Sequence, residues 1–533
     1  MNIDNEQLKQ AKIGSLVPIY KVLDAPEDPI EYFAKLSDYG RKKHCLLLES
    51  ADIVEKYGQF SIGSASPCLR LSGKGSEFEL KALNAIGKKF LLLVKKDLTF
   101  CQRLRHNGDT LTGALEPVRM NVSEDERLKL RTHMDILRAI AFRFKPTEKP
   151  FTAYAGLFGC FSYDFIDQFE DLPKNEKDAV GDPDYEFYFC DNLFMIDHKT
   201  KKLHIVANAL ITDKKTDDEY RRCKNILRDY EKSLTAKAPL PKRFKPKKQQ
   251  IVSDTTKEQY ERMVVRLKEN IVNGDIFQAV PSRTITSEYN AEPLDIYSTL
   301  RSLNPSPYMF FINTQKGILL GSSPEMFLKV EGDGQKTVEI RPIAGTKPRG
   351  FCNGGIDKDL DSRYEAELKI DKKELAEHTM LIDLARNDIA RIAKPGTRYV
   401  DEPYVIEKYS HVQHLVSNVR GTLKDGLDAL HAYLASMNMG TLTGAPKVKA
   451  MELLRKIEKT KRGFYGGSVG YLTPSGDFDS AIIIRAMRLV GGKANVRVGA
   501  GVVYDSIPES EYEETEKKAR ACLKAIEEAG GLR

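Results

Sequence analysis

The stretch from Phe151 to Phe165, reading Phe-Thr-Ala-Tyr-Ala-Gly-Leu-Phe-Gly-Cys-Phe-Ser-Tyr-Asp-Phe, is dense in aromatic residues and glycine. Aromatic side chains suit a pleated, half-buried surface and glycine lets a neighbouring backbone come close, so the segment predicts paired strands. More short β candidates surround it: Lys43 to Ser50, an apolar run ending in Glu49 and Ser50 as a buried strand would on reaching a pocket, and Phe187 to Ile196 with Leu203 to Asn208 around a turn at Asp197 to Lys202. Phe78 to Leu98 mixes helical and strand-like patterns, with Leu91 to Val94 the strand candidate. Near the other end, Gly466 to Tyr471, Ala481 to Val490 and Val496 to Val503 read as successive strands, the last two joined at Gly491-Gly492.

Helices punctuate these strands. Thr255 stands three residues before Glu258 in a capping-box arrangement, Tyr260, Met263, Val264, Leu267 and Ile271 share a face, and Asn273-Gly274-Asp275 stops the helix. Ile276 to Ile285 then turns strand-like and carries Gln278 and Arg283. Asp371 opens a second helix with Glu374 at the third position, and Pro395-Gly396 closes it. Glu377 on that helix borders apolar Leu381 and Leu384 and needs an Arg or a metal as partner. Lys237 to Gln250 sets Pro239, Pro241 and Pro246 among Lys242, Arg243, Lys245, Lys247 and Lys248, which reads as a linker between an N-terminal region, 1–245, and a second region, 246–533.

Whole-chain totals exclude several classes. No apolar run approaches the roughly 18 residues of a membrane span, and Met1 to Gln10 fits neither a secretory signal nor a transit peptide, so a cytoplasmic protein without membrane contact is expected. The eight cysteines include no C-x-x-C pair, which argues for reduced, mostly buried thiols. A net charge of +7 over 533 residues would help attract an anionic small molecule but is weak for a nucleic-acid binder. The chain has no tryptophan.

Asn438 to Ala450, Asn-Met-Gly-Thr-Leu-Thr-Gly-Ala-Pro-Lys-Val-Lys-Ala, places glycines, two hydroxyls, Pro446 and Lys447 before apolar Val448, Met451, Leu454 and Ile457 at helical spacing. Free backbone donors at such a helix start favour an anion, although an ordinary Gly-rich loop fits as well. A phosphate-binding loop does not fit: Gly440 and Gly444 are too close together and no Ser or Thr follows Lys447. Asn304 to Phe310 is a Pro-rigidified turn, and Gly321 to Glu325 presents a carboxylate. His411 and His414 lie in a β-like setting, where residues three apart face opposite sides, so they do not chelate one ion and a single His faces a pocket. Arg485 is placed on a strand face with Ile483 and Met487 and calls for a carboxylate partner; Gly499-Ala500-Gly501 permits close backbone approach. Glu511 and Glu514, three apart on the last helix, can face one cation or form a solvated acidic helix start.

Together these segments resemble the chorismate-utilising enzymes, most closely the large components of the anthranilate synthases. The motifs run through Gly-Asp-Ile-Phe-Gln (274–278), Asn-Pro-Ser-Pro-Tyr-Met (304–309), Ser-Ser-Pro-Glu (322–325), Pro-Ile-Ala-Gly-Thr (342–346), Glu-His-Thr-Met-Leu-Ile-Asp-Leu-Ala-Arg-Asn-Asp (377–388), Gly-Thr-Leu-Thr-Gly-Ala-Pro-Lys (440–447) and Gly-Ala-Gly-Val-Val-Tyr-Asp-Ser (499–506), and more weakly through Leu-Leu-Glu-Ser (47–50) and Gly-Leu-Phe-Gly (156–159). Cys160 departs from the tyrosine more usual in the family, a change expected to affect packing. The resemblance implies an α+β fold, two antiparallel β-sheets packed as a sandwich with outer helices and the active site in the cleft between them. Isochorismate and salicylate synthases carry a lysine base where this chain has Gln278, and aminodeoxychorismate synthases carry a nucleophilic lysine where it has Ala344; both differences favour direct attack by ammonia.

By the same resemblance, Glu325 is the general acid, His414 serves pyruvate elimination, Thr441 and Thr346 hydrogen-bond the ring, and Gln278 belongs to the catalytic set. Gly345, Tyr465, Arg485 and the backbone of Gly499, Ala500 and Gly501 bind substrate, and Glu377 and Glu514 hold Mg²⁺ with Glu511 or Glu374 through water. Glu49, Ser50, Asn304, Pro307, Tyr308 and Met309 match an inhibitory tryptophan site, which gives the absence of tryptophan a rationale during starvation. By the same resemblance, the chain is expected to take ammonia from a glutamine amidotransferase subunit in a hetero-oligomer. A synthase that stops at 2-amino-2-deoxyisochorismate, or a catalytically silent regulatory protein on the same fold, are the alternatives.

Overall fold

Alternation along the strand Leu46–Glu49 decides the layering. Leu46 joins an apolar core with Ile62, Phe310, Ile312 and Leu319, while Leu47 faces the other way into a core with Met309, Phe311 and Leu320. A strand apolar on both faces must be covered on both.

The computed structural model describes residues 2–51, 60–117, 126, 130–148, 153–242, 244, 250–352, 355–409 and 412–531. Among these, one sheet has 12 strands and the other 13. The first is centred on the pair Leu46–Glu49 and Tyr308–Asn313, with Leu46 opposite Ile312 and Glu49 opposite Met309; the second is centred on Gly156–Phe161 and Ser468–Leu472. Within the two sheets, among the described residues, pairing is antiparallel apart from a short parallel contact of Ser15 and Leu16 with Lys145 and Pro146. Helices Pro29–Ser37, Thr216–Thr235, Pro293–Leu303 and Pro508–Gly531 share the core of Leu47, and Ala85–Asp97, His133–Ala141, Lys372–Ile392 and Ala429–Ser436 share the other. This is the expected α+β sandwich of antiparallel sheets with helices outside.

Strand order repeats on either side of each centre. Outward in the first sheet run Phe60–Ser64, Asn192–Asp197 and Lys202–Leu210 on one side, and Ile318–Ser323, Ala486–Val490 and Lys493–Gly499 on the other. In the second they are Tyr185–Cys190 and Leu69–Lys74 against Phe478–Ile482 and Met326–Glu331. Residues 1–245 and 246–533 therefore each contribute strands to both sheets. In the later half the chain changes sheet at two short connections, Ser323 to Met326 and Ile482 to Ala486, and these carry Glu325 and Arg485.

Several local expectations are corrected. Leu91 to Val94 lies inside the helix Ala85–Asp97, because Ile86, Phe90, Leu91 and Val94 together bury one helical face and Asn84 caps the start through Gly87 N. The capping box sits one residue later than expected, Thr256 with Gln259. Ile276 to Ile285 is two strands, Gln278–Ala279 and Ser282–Glu288. Pro446 precedes the helix Lys447–Glu458, whose buried face is Ala450, Met451, Leu453 and Leu454, so Val448 is exposed. The residues Phe151, Thr152, Arg243, Lys245, Pro246, Lys247, Lys248 and His411 lie outside the described set.

Candidate active site

The two short connections between sheets are stitched to each other. Ile482 N donates to Glu325 O at 3.1 Å, and Ser322 N donates to Arg485 O at 3.1 Å. Arg485 thus stands in a bend at φ 47°, not on a strand face with Ile483 and Met487. The chain is changing sheets there, so Ile483 and Met487 enter different cores. Burial lowers the Arg485 pKa, its Nη1 lies 3.5 Å from Asn304 Oδ1, and its charge acts on both Glu325 and His414.

Glu325 is 5% exposed. Burial pushes its pKa up to about 8, against the opposing influences of Thr441 Oγ1, which donates to Oε1 at 3.0 Å, the Lys518 charge, the Ile343 amide and Arg485. A carboxyl group in that state carries a proton at neutral pH and can give it away.

His414 lies opposite Thr346 in the register of Ile343–Pro348 with Val412–Thr422, next to a bulge at Gly345. Gly345 takes φ +63°, natural for glycine, and its carbonyl lies 3.2 Å from His414 Nδ1; Thr346 Oγ1 is 3.0 Å from the same nitrogen. A carbonyl accepts only from N–H, so Nδ1 carries the hydrogen and Nε2 the lone pair. Nε2 is buried without a hydrogen-bond partner among the described residues, and burial lowers the pKa to about 4, so the imidazole is neutral.

Thr441 opens the short helix Gly440–Thr443, packed so closely that a Cβ on Gly440 would fall 2.1 Å from Leu384 Cδ2. Lys447 serves this packing: its Nζ donates to Asp388 Oδ2 at 2.6 Å and to Ser436 O at 2.7 Å. Gln278 pairs with Ala445 across a two-residue ladder, and its Nε2 donates to Glu377 Oε1 at 2.6 Å while its own Oε1 has no partner among the described residues. A Cβ on Gly501 would lie 2.9 Å from Gln278 Nε2 and 3.6 Å from Glu377 Oε1.

Acidic residues converge beside them. Burial is the main reason the pKa values of Glu377, Glu374 and Glu511 are raised, and in each the Glu514 carboxylate adds to the rise. Glu514 pairs with Lys518 at 2.7 Å. Among the described residues no three His, Cys, Asp or Glu groups come together closely enough to hold an ion alone. Hard carboxylate oxygens that repel one another still fit Mg²⁺, which keeps several waters and takes one or two protein carboxylates with oxygens of its substrate.

The Tyr465 hydroxyl would lie 3.1 Å from a Cβ on Gly499, so glycine is what leaves room for the phenol. Ala500 N already donates to Tyr260 Oη at 3.2 Å, and Gly499 O accepts from Lys518 Nζ at 3.1 Å. Within 499–501 the Ala500 amide is thus engaged inside the protein.

A model of the family described as chorismate binding enzyme matches residues 101–524. The chain belongs to the chorismate-binding enzymes. It is 40% identical over 524 residues to anthranilate synthase component 1 of Vibrio cholerae, covering 98% of both chains, and 41% identical over 503 residues to the protein of that name from Escherichia coli, covering 94% of this chain and 95% of the other. The crystal structure of anthranilate synthase component I from Streptococcus pneumoniae superposes with a TM-score of 0.67 at 29% identity, over 87% of this chain and 92% of that one.

Five of the six expected inhibitory residues of this chorismate-binding enzyme, Glu49, Ser50, Pro307, Tyr308 and Met309, line a separate cavity of about 90 Å³. Glu49 is buried and held by Tyr297 Oη at 2.5 Å and Arg301 at 3.5 Å, while Ser50 Oγ has no hydrogen-bond partner among the described residues. Asn304 stands apart, bonded to Ser322 Oγ at 2.9 Å and facing Arg485. Sequence reasoning missed Asp479 and Tyr471 in the same cavity. The one available signal for Asp479 was a carboxylate next to Phe478 in an apolar strand. Also missed were Lys518 and the Ile343 amide near Glu325; neither type stands out in a sequence. Among the described residues no helix is long and apolar enough to cross a membrane.

Proposed function

We propose that this protein is the chorismate-using component of an anthranilate synthase, a magnesium-dependent lyase of tryptophan biosynthesis that works in the cytoplasm. The reading rests most on one juxtaposition: a buried, protonated Glu325 and a buried, neutral His414 with an unoccupied Nε2, both under the charge of Arg485. Arg485 and Tyr465 bind the enolpyruvyl carboxylate, and Thr441 and Thr346 orient the ring. Ammonia forms a bond to C2, the two ring double bonds shift from C1=C2 and C5=C6 to C1=C6 and C4=C5, and the C4–O bond breaks as Glu325 gives its proton to the leaving hydroxyl, which departs as water; proton donation of this kind contributes about 10²- to 10⁴-fold in rate. In the second step the C3–O bond to the enolpyruvyl group breaks, His414 Nε2 takes the C2 proton, and the enolpyruvyl methylene gains one, leaving anthranilate and pyruvate. Glu377 and Glu514 would hold Mg²⁺, assisted by Glu511 or Glu374 through water. When bound, the ion supplies a Lewis acid that neutralises the ring carboxylate.

Residues 246–533 carry this chemistry, and 1–245 contribute to the sandwich and to the tryptophan pocket that inhibits it. Ammonia comes from a glutamine amidotransferase subunit in a hetero-oligomer, a reading supported by the component 1 names of the relatives. The test is purified protein with chorismate, Mg²⁺ and ammonium salt. Anthranilate fluorescence with one pyruvate per chorismate is expected. Aminated intermediate without pyruvate would assign the enzyme to 2-amino-2-deoxyisochorismate synthesis, and absence of all turnover would make it a regulatory protein.

A further inference from the structure

The proposed reaction leaves unused a polar group beside its base. In the register of Tyr399–Lys408 with Val412–Thr422, Glu407 lies directly opposite His414, on the side away from Thr346. Three side chains therefore share one row: Thr346, His414, Glu407. A carboxylate directly across a strand pair from an imidazole would ordinarily draw a proton onto it. Here it is engaged elsewhere. Arg341, 3% exposed, forms an ion pair with Glu407 Oε1, and Tyr409 Oη donates to Glu407 Oε2 at 3.0 Å. Tyr409 in turn sets its ring against the His414 ring, centroids 5.5 Å apart at 64°, while Arg349 Nη1 anchors the Tyr409 carbonyl at 2.5 Å.

We propose that Arg341, Glu407 and Tyr409 form a positioning unit that holds His414 as a neutral base in one ring orientation. Arg341 neutralises the carboxylate that the strand register sets opposite His414. Tyr409, fixed through its hydroxyl by Glu407, closes the ring face that Gly345 and Thr346 leave open. The charged or titratable groups acting on His414 from its other surroundings are Arg485 and Arg341, both positive, and the Gly345 carbonyl opposes them. Glu407 is the one negative charge in the row, and Arg341 is paired with it.

The inference rests on the proposed reaction for the step it serves, but its test does not depend on turnover alone. Nitrogen-15 spectra of histidine-labelled protein, with His414 assigned from a His414→Asn sample, should show a neutral ring protonated at Nδ1. In Tyr409→Phe the hydroxyl bond is lost and the ring kept. The expected result is His414 resonances that broaden or move toward a mixture of tautomers, with kcat for anthranilate falling about tenfold, chorismate KM within twofold, and less pyruvate per chorismate consumed. Arg341→Leu should raise the pH at which His414 protonates and move the acid limb of kcat the same way, and Arg341→Lys should restore both. Tyr409→Phe and Arg341→Leu proteins that melt like the parent and keep its His414 spectrum would overturn the proposal. So would losses of kcat and KM in parallel with no change at His414. If the parent makes no anthranilate while its His414 spectrum still responds to these variants, the reaction assignment fails and the positioning unit stands.

Discussion

Thr441 Oγ1 donates to Glu325 Oε1 at 3.0 Å, stabilising the charged form of a carboxyl group that burial holds neutral. The two influences oppose each other, and burial wins: the pKa stands near 8 despite the hydroxyl, Lys518, Ile343 and Arg485. Thr441 therefore tunes the acid downward, toward the pH at which it can release its proton.

Replacing Thr441 with valine should move the alkaline limb of the pH–rate profile upward from about 8, because the anion loses a donor. The rate at pH 7 should fall as well, since the ring loses an orienting hydroxyl. A limb that stays in place in Thr441→Val would show that the titrating group is not Glu325.

Glu325→Gln should lose about 10²- to 10⁴-fold in kcat while gaining stability. The sign follows from linkage. The folded pKa of about 8 lies above the ordinary value of 4.5, so between these values the folded state binds the extra proton and stability falls as pH rises. Glutamine removes that slope. The variant should match the parent near pH 4 and exceed it by a few kcal/mol at pH 8, read by denaturant unfolding at both pH values.

How much of this was legible in the sequence varied with the kind of feature. Strands such as Leu46–Glu49 could be read because a buried strand announces itself by an apolar run ending at a polar pair, whereas the α+β sandwich followed only from the family resemblance. Arg485 could be picked out by type but not placed: a guanidinium between apolar neighbours looks like a strand position, and only the change of sheet turns it into a bend. Leu91 to Val94 was misread because four consecutive apolar residues fit a strand or a helix, and the companion positions Ile86 and Phe90 decide between them. The Arg341–Glu407 pair was invisible, since it depends on which strand lies beside which.

Ser50 makes a separate prediction about regulation. Its Oγ is buried beside the 90 Å³ cavity with no partner among the described residues, so a ligand that supplies one gains a hydrogen bond, worth about 0.5–1.5 kcal/mol net. Ser50→Ala should weaken tryptophan binding severalfold in calorimetry and leave uninhibited turnover intact. Unchanged affinity would remove Ser50 from the pocket's recognition set.

The acidic cluster predicts opposite effects with and without metal. Glu514 raises the pKa values of Glu377, Glu374 and Glu511, so in the absence of a cation it makes their charged forms costlier. Because those folded values lie above the ordinary carboxylate range, the cost is absent at low pH and grows as pH rises through it. Glu514→Gln should therefore melt slightly higher than the parent at pH 7.5 in chelator and the same at pH 4. Adding Mg²⁺ should reverse the order, since an ion bound only to the folded state stabilises the parent by mass action and finds one ligand missing in the variant. The Mg²⁺ concentration for half-maximal turnover should rise by an order of magnitude or more. A Mg²⁺-induced rise in Tm that is equal in parent and Glu514→Gln would take Glu514 out of the metal site.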